Sequence, residues 1–204
     1  LLTAEAEALG LDYLGLRGAA GLWGGVVPYP HVATKAITHG LIAPDAKAPP
    51  GWNPALAEAL SGAVLSGATA FDAGDAREAG RILLKRGPIR LKPVLATGGR
   101  GQTVAADRAA LEAALQARDP DEIETHGVVL EENLVDITTY SVGTSALGDQ
   151  RIAYWGLQRF EATADGGEVY AGSDLEVAQG GLDDLLAFDL PQVARAAIEI
   201  ARRY

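Results

Sequence analysis

The 204-residue chain contains no cysteine. That absence removes disulfides, thiol nucleophiles and cysteine-ligated metal centres together. Methionine is missing too, position 1 included, and the expectation is a trimmed segment of a longer protein. Long hydrophobic runs are lacking: no stretch reaches the ~18 uninterrupted apolar residues of a membrane span. No basic-then-apolar leader opens the chain, so no membrane association and a cytoplasmic location are expected. Positive charge is scarce, with 17 Lys and Arg against 27 Asp and Glu and a formal net charge of -10. Such a field repels phosphate, which argues against broad binding to nucleic acid or anionic lipid. A local cationic pocket inside the acidic shell stays compatible with it. What remains is ordinary globular composition, 48% hydrophobic and 22% charged, which excludes disorder, collagen and a pure coiled coil. The length suits one large domain or two small ones.

Local patterns divide the chain. A helix is expected over residues 3–9, capped by Thr3. The segment Gly24-Gly25-Val26-Val27-Pro28-Tyr29-Pro30 reads as a loop with a brief extended piece. A short helix follows over residues 32–39, closed by Gly40, and residues 44–54, rich in proline, form a linker. From about residue 63 strands and helices alternate. The expected elements are an apolar run ending at the N-cap Asp72, a helix over 75–86 stopped by Gly87-Pro88, and a buried strand over 89–95. After a glycine loop come extended residues 102–105, a helix from the cap Asp107 to Ala117, and a strand over 127–130. Residues 137–146 and 152–160 form an antiparallel hairpin around Gly148-Asp149. A final helix over 190–204 presents Val193, Ala197, Ile200 and Ala201 on one side. The fold class is α+β, a small α/β module followed by a β-rich module. The expected domains are a helical and loop-rich region 1–58, the α/β module 59–131, and the β-rich part 132–204.

Chemistry concentrates in three places. In Lys92-Pro93-Val94-Leu95-Ala96-Thr97-Gly98-Gly99-Arg100-Gly101 a strand fixes Lys92, and glycines let the backbone approach a ligand. Free N–H groups of such a loop form a nest for phosphate oxygens, with charge from Lys92 and Arg100. A plain hairpin turn needs the same glycines. It is neither a Walker A loop nor the dinucleotide fingerprint. Glu131-Glu132-Asn133-Leu134 ends an apolar strand in two carboxylates, which suit an adenine amino group or ribose, or simply solvent. Lys35 opens a short helix and can reach a phosphate or water. The three histidines, His31, His39 and His126, lack a metal-ligand spacing, and solvated or capping roles are expected for them. No nucleophile elbow surrounds Ser141 or Ser173. In Tyr154-Trp155 one ring is expected inward and one outward.

The order of these features resembles the ATP-grasp superfamily, the fold of D-alanine–D-alanine ligase and biotin carboxylase. More narrowly, Gly24-Gly25-Val26-Val27-Pro28, Ala33-Thr34-Lys35-Ala36-Ile37-Thr38-His39 and Val129-Leu130-Glu131-Glu132-Asn133-Leu134 resemble the bacterial DUF3182 family, from about Gly24 onward. The resemblance implies ATP between two β-containing modules, with Lys35 and Lys92 at the α- and β-phosphates and the Gly98–Gly101 loop over the triphosphate. It implies that Glu131 accepts from the adenine amino group, with backbone at Glu132 and Leu134 forming the hinge. The position of the superfamily's ribose-binding acid falls on Thr139. Its magnesium ligands lie on strands after a helix like 190–204, so the resemblance implies Mg²⁺ and a truncated C-terminal part whose ligands are not in this segment. Phosphoryl transfer needs that ion against developing charge. The activity implied for the full-length protein is ATP-dependent ligation of a carboxylate to an amine or thiol, so the partners are a nucleotide and a small-molecule carboxylate or acceptor. The alternatives are a non-catalytic nucleotide-binding or regulatory module, or a sugar- or polymer-binding protein. The sequence leaves the acceptor and the oligomeric state open.

Overall fold

The computed structural model describes residues 26–162 and 168–204. The helix expected over 3–9 and the pair Gly24-Gly25 lie outside the described residues. Two units divide the chain: one takes the segment up to Glu58 with Ser66–Leu95 and Gln102–Asn133, the other Ala59–Leu65, Ala96–Gly101 and Leu134–Tyr204.

The first unit opens with two 3-10 turns, Pro30–Ala33 and Lys35–Thr38, where the sequence suggests one helix over 32–39. Thr34 breaks it in extended conformation. Its hydroxyl donates to His31 O at 2.8 Å and accepts from the Ala36 N–H at 3.1 Å, local bonds that compete with a continuous helix. After the short helix α1 (Pro54–Ala59) come β1 (Gly67–Ala70), α2 (Ala73–Leu83), β2 (Ile89–Pro93), β3 (Thr103–Ala105), α3 (Arg108–Gln116), α4 (Pro120–His126) and β4 (Val128–Glu132). Asp72 and Asp107 cap α2 and α3, each carboxylate accepting at 2.8 Å from the N–H three residues on. Helix α4 was not apparent from the pattern, although Asp119-Pro120 provides an N-cap and a proline at the first helical position.

The four strands form one sheet in the order β1-β4-β2-β3, with every pairing antiparallel. Strands β1 and β2 are parallel to each other, joined through α2, with β4 inserted between them. The alternation of strand and helix therefore describes a split βαβ unit. Alternation sends Ile89, Leu91, Val128 and Leu130 to one face, where they join Ala76, Ala79, Leu111, Leu115 and Ile123 in a buried core. The other face carries Thr69, Arg90, Lys92, Val129 and Glu131. Ala36, Phe71, Val94 and Val129 form a second, smaller core there.

The second unit holds an antiparallel sheet β5-β6-β7: β5 (Tyr140–Leu147), β6 (Gln150–Ala162) and β7 (Glu168–Gln179). The expected hairpin is β5-β6, and Trp155 points inward as one ring of its pair should. Strand β7 and helix α5 (Leu182–Leu186) had no clear signal. Helix α6 runs Gln192–Ala201 and buries Ala194 and Ile198, with Ala153, Trp155 and Leu185, in the core of this unit. This corrects the expected stripe: Val193 and Ile200 are exposed, and the line turned into the core is Ala194 and Ile198, one helical turn apart. The fold is thus α+β with two antiparallel sheets and, among the described residues, six α-helices.

Candidate anion-binding site

Buried Thr69 on β1 anchors the start of the site. Its hydroxyl donates to Ala36 O at 2.7 Å, and its N–H donates to Gly40 O at 2.9 Å. The second 3-10 turn is thereby fixed onto the sheet, with Lys35 at its first position and His39 just beyond its end. Lys35 Nζ donates to Pro93 O at the end of β2, 3.3 Å away.

The centre is Glu131, a carboxylate only 6% exposed. It forms an ion pair with Lys92 and accepts from His39 Nε2 at 3.1 Å. Gly67, paired with Glu131 in register, makes room for this imidazole: a Cβ at position 67 would lie 2.7 Å from the His39 ring. Burial works to raise the Glu131 pKa, but the hydrogen bonds from His39 and Lys92 outweigh it and hold the carboxyl below the usual range. Burial lowers the Lys35 pKa, the positive Lys92 lowers it further, and Glu131 partly opposes both. Both lysines therefore lie within electrostatic reach of one buried carboxylate, which forms its ion pair with Lys92.

Arg90 lies on the same face of β2, two residues before Lys92, and is partly buried. Its Nε and Nη2 donate to Asn133 Oδ1 at 3.0 and 2.7 Å, and its Nη1 donates to Gln102 Oε1 at 3.0 Å. Both partners are neutral amides. The arginines of the opposite face are used differently: Arg77 pairs with Glu112 and Arg81 with Glu78.

Of the sequence-derived site residues, Lys35, Lys92 and Glu131 come together. Glu132 turns to the other face, where its Oε1 accepts from the Ser66 N–H at 3.0 Å. The Glu132 N–H is itself bonded to Ser66 O, and that of Asn133 to Pro88 O. Gly98, Gly99, Arg100, Gly101 and Leu134 belong to the second unit. There the three glycines have φ of 63, 82 and 65°, and the Arg100 N–H closes a turn on Thr97 O at 3.3 Å. Leu134 is exposed. Sequence reasoning missed His39 and Arg90. The alternation that selects Lys92 also places Arg90 on its face, whereas nothing local pairs His39 with a residue 92 positions away. Nor is His31 solvated: it is buried against Tyr29, Trp52 and Phe71.

Among the described residues no three His, Asp or Glu side chains converge as a cation site. Asp174 on β7 pairs with Arg159 at 3.4 Å. The described residues thus supply no ligand set for a magnesium ion. The same residues also include no helix long and apolar enough to cross a membrane.

Compared with curated proteins, the chain has no match. The family model described as Protein of unknown function (DUF3182) matches residues 2–204, and by that match, which takes in the β2 lysine and the Glu131 strand end alike, the chain belongs to the DUF3182 family.

Proposed function

We propose that this sheet face binds the phosphate chain of a nucleotide, ATP in the ATP-grasp reading. The observation that carries it is the gathering of Lys35, Lys92 and Arg90 on one sheet face around a buried carboxylate, Glu131, that is already paired with Lys92. Arg90 is held there by two neutral amides and pairs with no acid among the described residues. In a chain of net charge -10, a positive excess held on a rigid sheet favours a specific anion over general attraction to polyanions. Glu131 fixes the direction of Lys92, and Thr69 fixes the turn that carries Lys35. Phosphate oxygens then complete the set by charge-assisted hydrogen bonds. The residues that carry this reading all lie in the first unit; Gly98, Gly99, Arg100, Gly101 and Leu134 lie in the second.

The Glu131 carboxylate is committed to Lys92 and His39, so its side chain is not assigned to the base. These residues support nucleotide binding, while ligation would need metal ligands and an acceptor site beyond those described. The non-catalytic nucleotide-binding module is therefore the reading closest to this segment. Titration calorimetry with ATP, with and without magnesium, tests it. Binding that weakens about tenfold or more in Lys92→Ala is the expected result. No binding of ATP under either condition overturns the reading.

A further inference from the structure

Helix α6 is apolar on two sides. Ala194 and Ile198 turn into the core of the second unit and are fully buried. One residue step round the helix, about 100°, Val193, Ala196, Ala197 and Ile200 recur at the spacing of a single helix face. Val193 is 46% exposed and Ile200 50%, so this second stripe faces solvent. Scattered apolar side chains are ordinary on a surface, whereas a continuous stripe marks a place of contact. Outward from the point between Ala196 and Ala197 the chain is self-complementary. Val193 and Ile200 lie at equal distances on either side of it. Asp189 and Arg203 follow, one beyond each end of the helix, with Phe188 and Tyr204 next to them. Both aromatic side chains are exposed. Asp189 and Arg203 are exposed too, and neither forms an ion pair among the described residues, whereas Arg202 pairs with Asp183.

We propose that the outer stripe of α6 joins two copies of this chain, the two helices running antiparallel about a two-fold axis between Ala196 and Ala197. Val193 then meets the partner's Ile200, and the alanines at the axis let the two backbones approach. Asp189 faces the partner's Arg203, and Phe188 the partner's Tyr204. Each contact occurs twice, as an isologous interface requires. Parallel pairing would set acid against acid and base against base at the two ends, which repel. Two copies of a chain with net charge -10 also repel at long range, so they associate only through a face that is neutral in itself. The stripe and its ends meet that condition with one acid and one base per copy. A single helix face is smaller than the ~800 Å² per partner of a stable interface, so the dimer is weak and concentration-dependent. The inference is independent of the phosphate-binding reading, which concerns the first unit.

Sedimentation equilibrium of the 204-residue chain at about 5 to 500 µM tests it, with circular dichroism melts of every variant. The mass is expected to rise from one chain toward two across that range. Ile200→Glu is expected to weaken the dimer about tenfold or more, and because the side chain is exposed the fold should survive. Asp189→Arg and Arg203→Asp should each weaken it, and the double variant should restore it, since the reversed charges are complementary again. The chain has no cysteine, so a single introduced one reads the register. Ala197→Cys is expected to cross-link to itself on oxidation. Ile200→Cys is not, because its two copies lie about 10 Å apart along antiparallel helices, but it should cross-link to Val193→Cys in a mixture. A chain that stays monomeric throughout overturns the proposal and leaves the stripe to another partner. A dimer unaffected by Ile200→Glu in the folded chain lies elsewhere and overturns it as well. Where Ile200→Glu does not fold, the cross-linking pattern decides. Self-cross-linking of Ile200→Cys as complete as that of Ala197→Cys, or a double charge reversal that restores nothing, overturns the antiparallel arrangement.

Discussion

Lys92 and Glu131 form an ion pair between the neighbouring strands β2 and β4 along a diagonal, since Lys92 faces Val129 in register and Arg90 faces Glu131. The pair therefore has a structural role whether or not a ligand is present. Removing one partner leaves the other charge on a partly buried face, and breaking such a pair costs about 3 kcal/mol where burial is substantial. Lys92 is 24% exposed, so water recovers part of that cost. Lys92→Ala is expected to lower the melting temperature and the affinity for ATP together. The double substitution Lys92→Met with Glu131→Leu removes both charges, and it should recover much of the stability while remaining deficient in binding. Recovery of affinity in the double variant would show that the pair serves only the fold.

Acid should weaken the first unit through Glu131. Its carboxyl is held below the usual range in the fold, so the unfolded chain takes up the proton first. Stability from this group is fully present above the ordinary glutamate value of about 4.3 and is lost as pH falls through the depressed value. Melts at stepped pH are expected to show a steeper acid limb in the parent chain than in Glu131→Gln. Lys35 acts at the other end. Its lowered pKa means that affinity for an anion falls as pH rises toward the ordinary lysine value of about 10.4. Parallel acid limbs for the parent chain and Glu131→Gln would contradict the pairing.

The local signals that the sequence carries well are caps and alternation. Asp72 and Asp107 were legible as caps because a carboxylate three residues before a free N–H acts locally. The Lys92 strand and the hairpin after Tyr140 were legible because alternation has period two. Pairing was not legible: β4 enters between β1 and β2 through contacts far apart in sequence, and no local pattern encodes that insertion. The same limit hid His39, whose partner Glu131 lies 92 residues on. Lys35 and Lys92 were legible as isolated cations, yet the pairing of Lys92 with Glu131 and the approach of Lys35 to the end of β2 are products of the sheet. The face of α6 failed for another reason: apolar residues lie on both sides of this helix, and only the packing of the unit selects Ala194 and Ile198 for burial.

Gly67 makes a sharp test of the His39 position. A methyl group there would come within 2.7 Å of both the imidazole and Leu130 O. The backbone carbonyl cannot yield easily, so His39 must move away from Glu131. Gly67→Ala is expected to cost about 1–3 kcal/mol, as overpacking does, and to weaken anion binding by freeing Lys92 and Glu131 from a fixed geometry. Denaturant melts and calorimetry on the same variant check both effects. Wild-type stability would show that the β1 edge accommodates a side chain and that His39 is not wedged against it.

His31 supplies the last prediction, because its environment is aromatic rather than ionic. It stacks on Tyr29 with ring centroids 5.8 Å apart and lies 5.5 Å from Trp52 and 6.2 Å from Phe71. Its Nδ1 and the Trp52 Nε1 are buried with no hydrogen-bond partner among the described residues. Burial lowers the His31 pKa from its ordinary value of 6.5, so the folded chain resists protonation that the unfolded chain accepts. By linkage the unfolded state binds more protons below that value, and stability falls as pH drops from about 6.5 through the depressed value. Phenylalanine keeps a ring against the same three neighbours and cannot titrate. His31→Phe is therefore expected to melt close to the parent chain at pH 7.5 and above it at pH 5, with tryptophan fluorescence following the same midpoints. The loss from His31 begins near pH 6.5, before the Glu131 limb sets in at about 4.3, so the onsets of the two effects are distinguishable on one pH series. An identical pH slope in the parent chain and His31→Phe would mean that the ring is not the group that resists protonation.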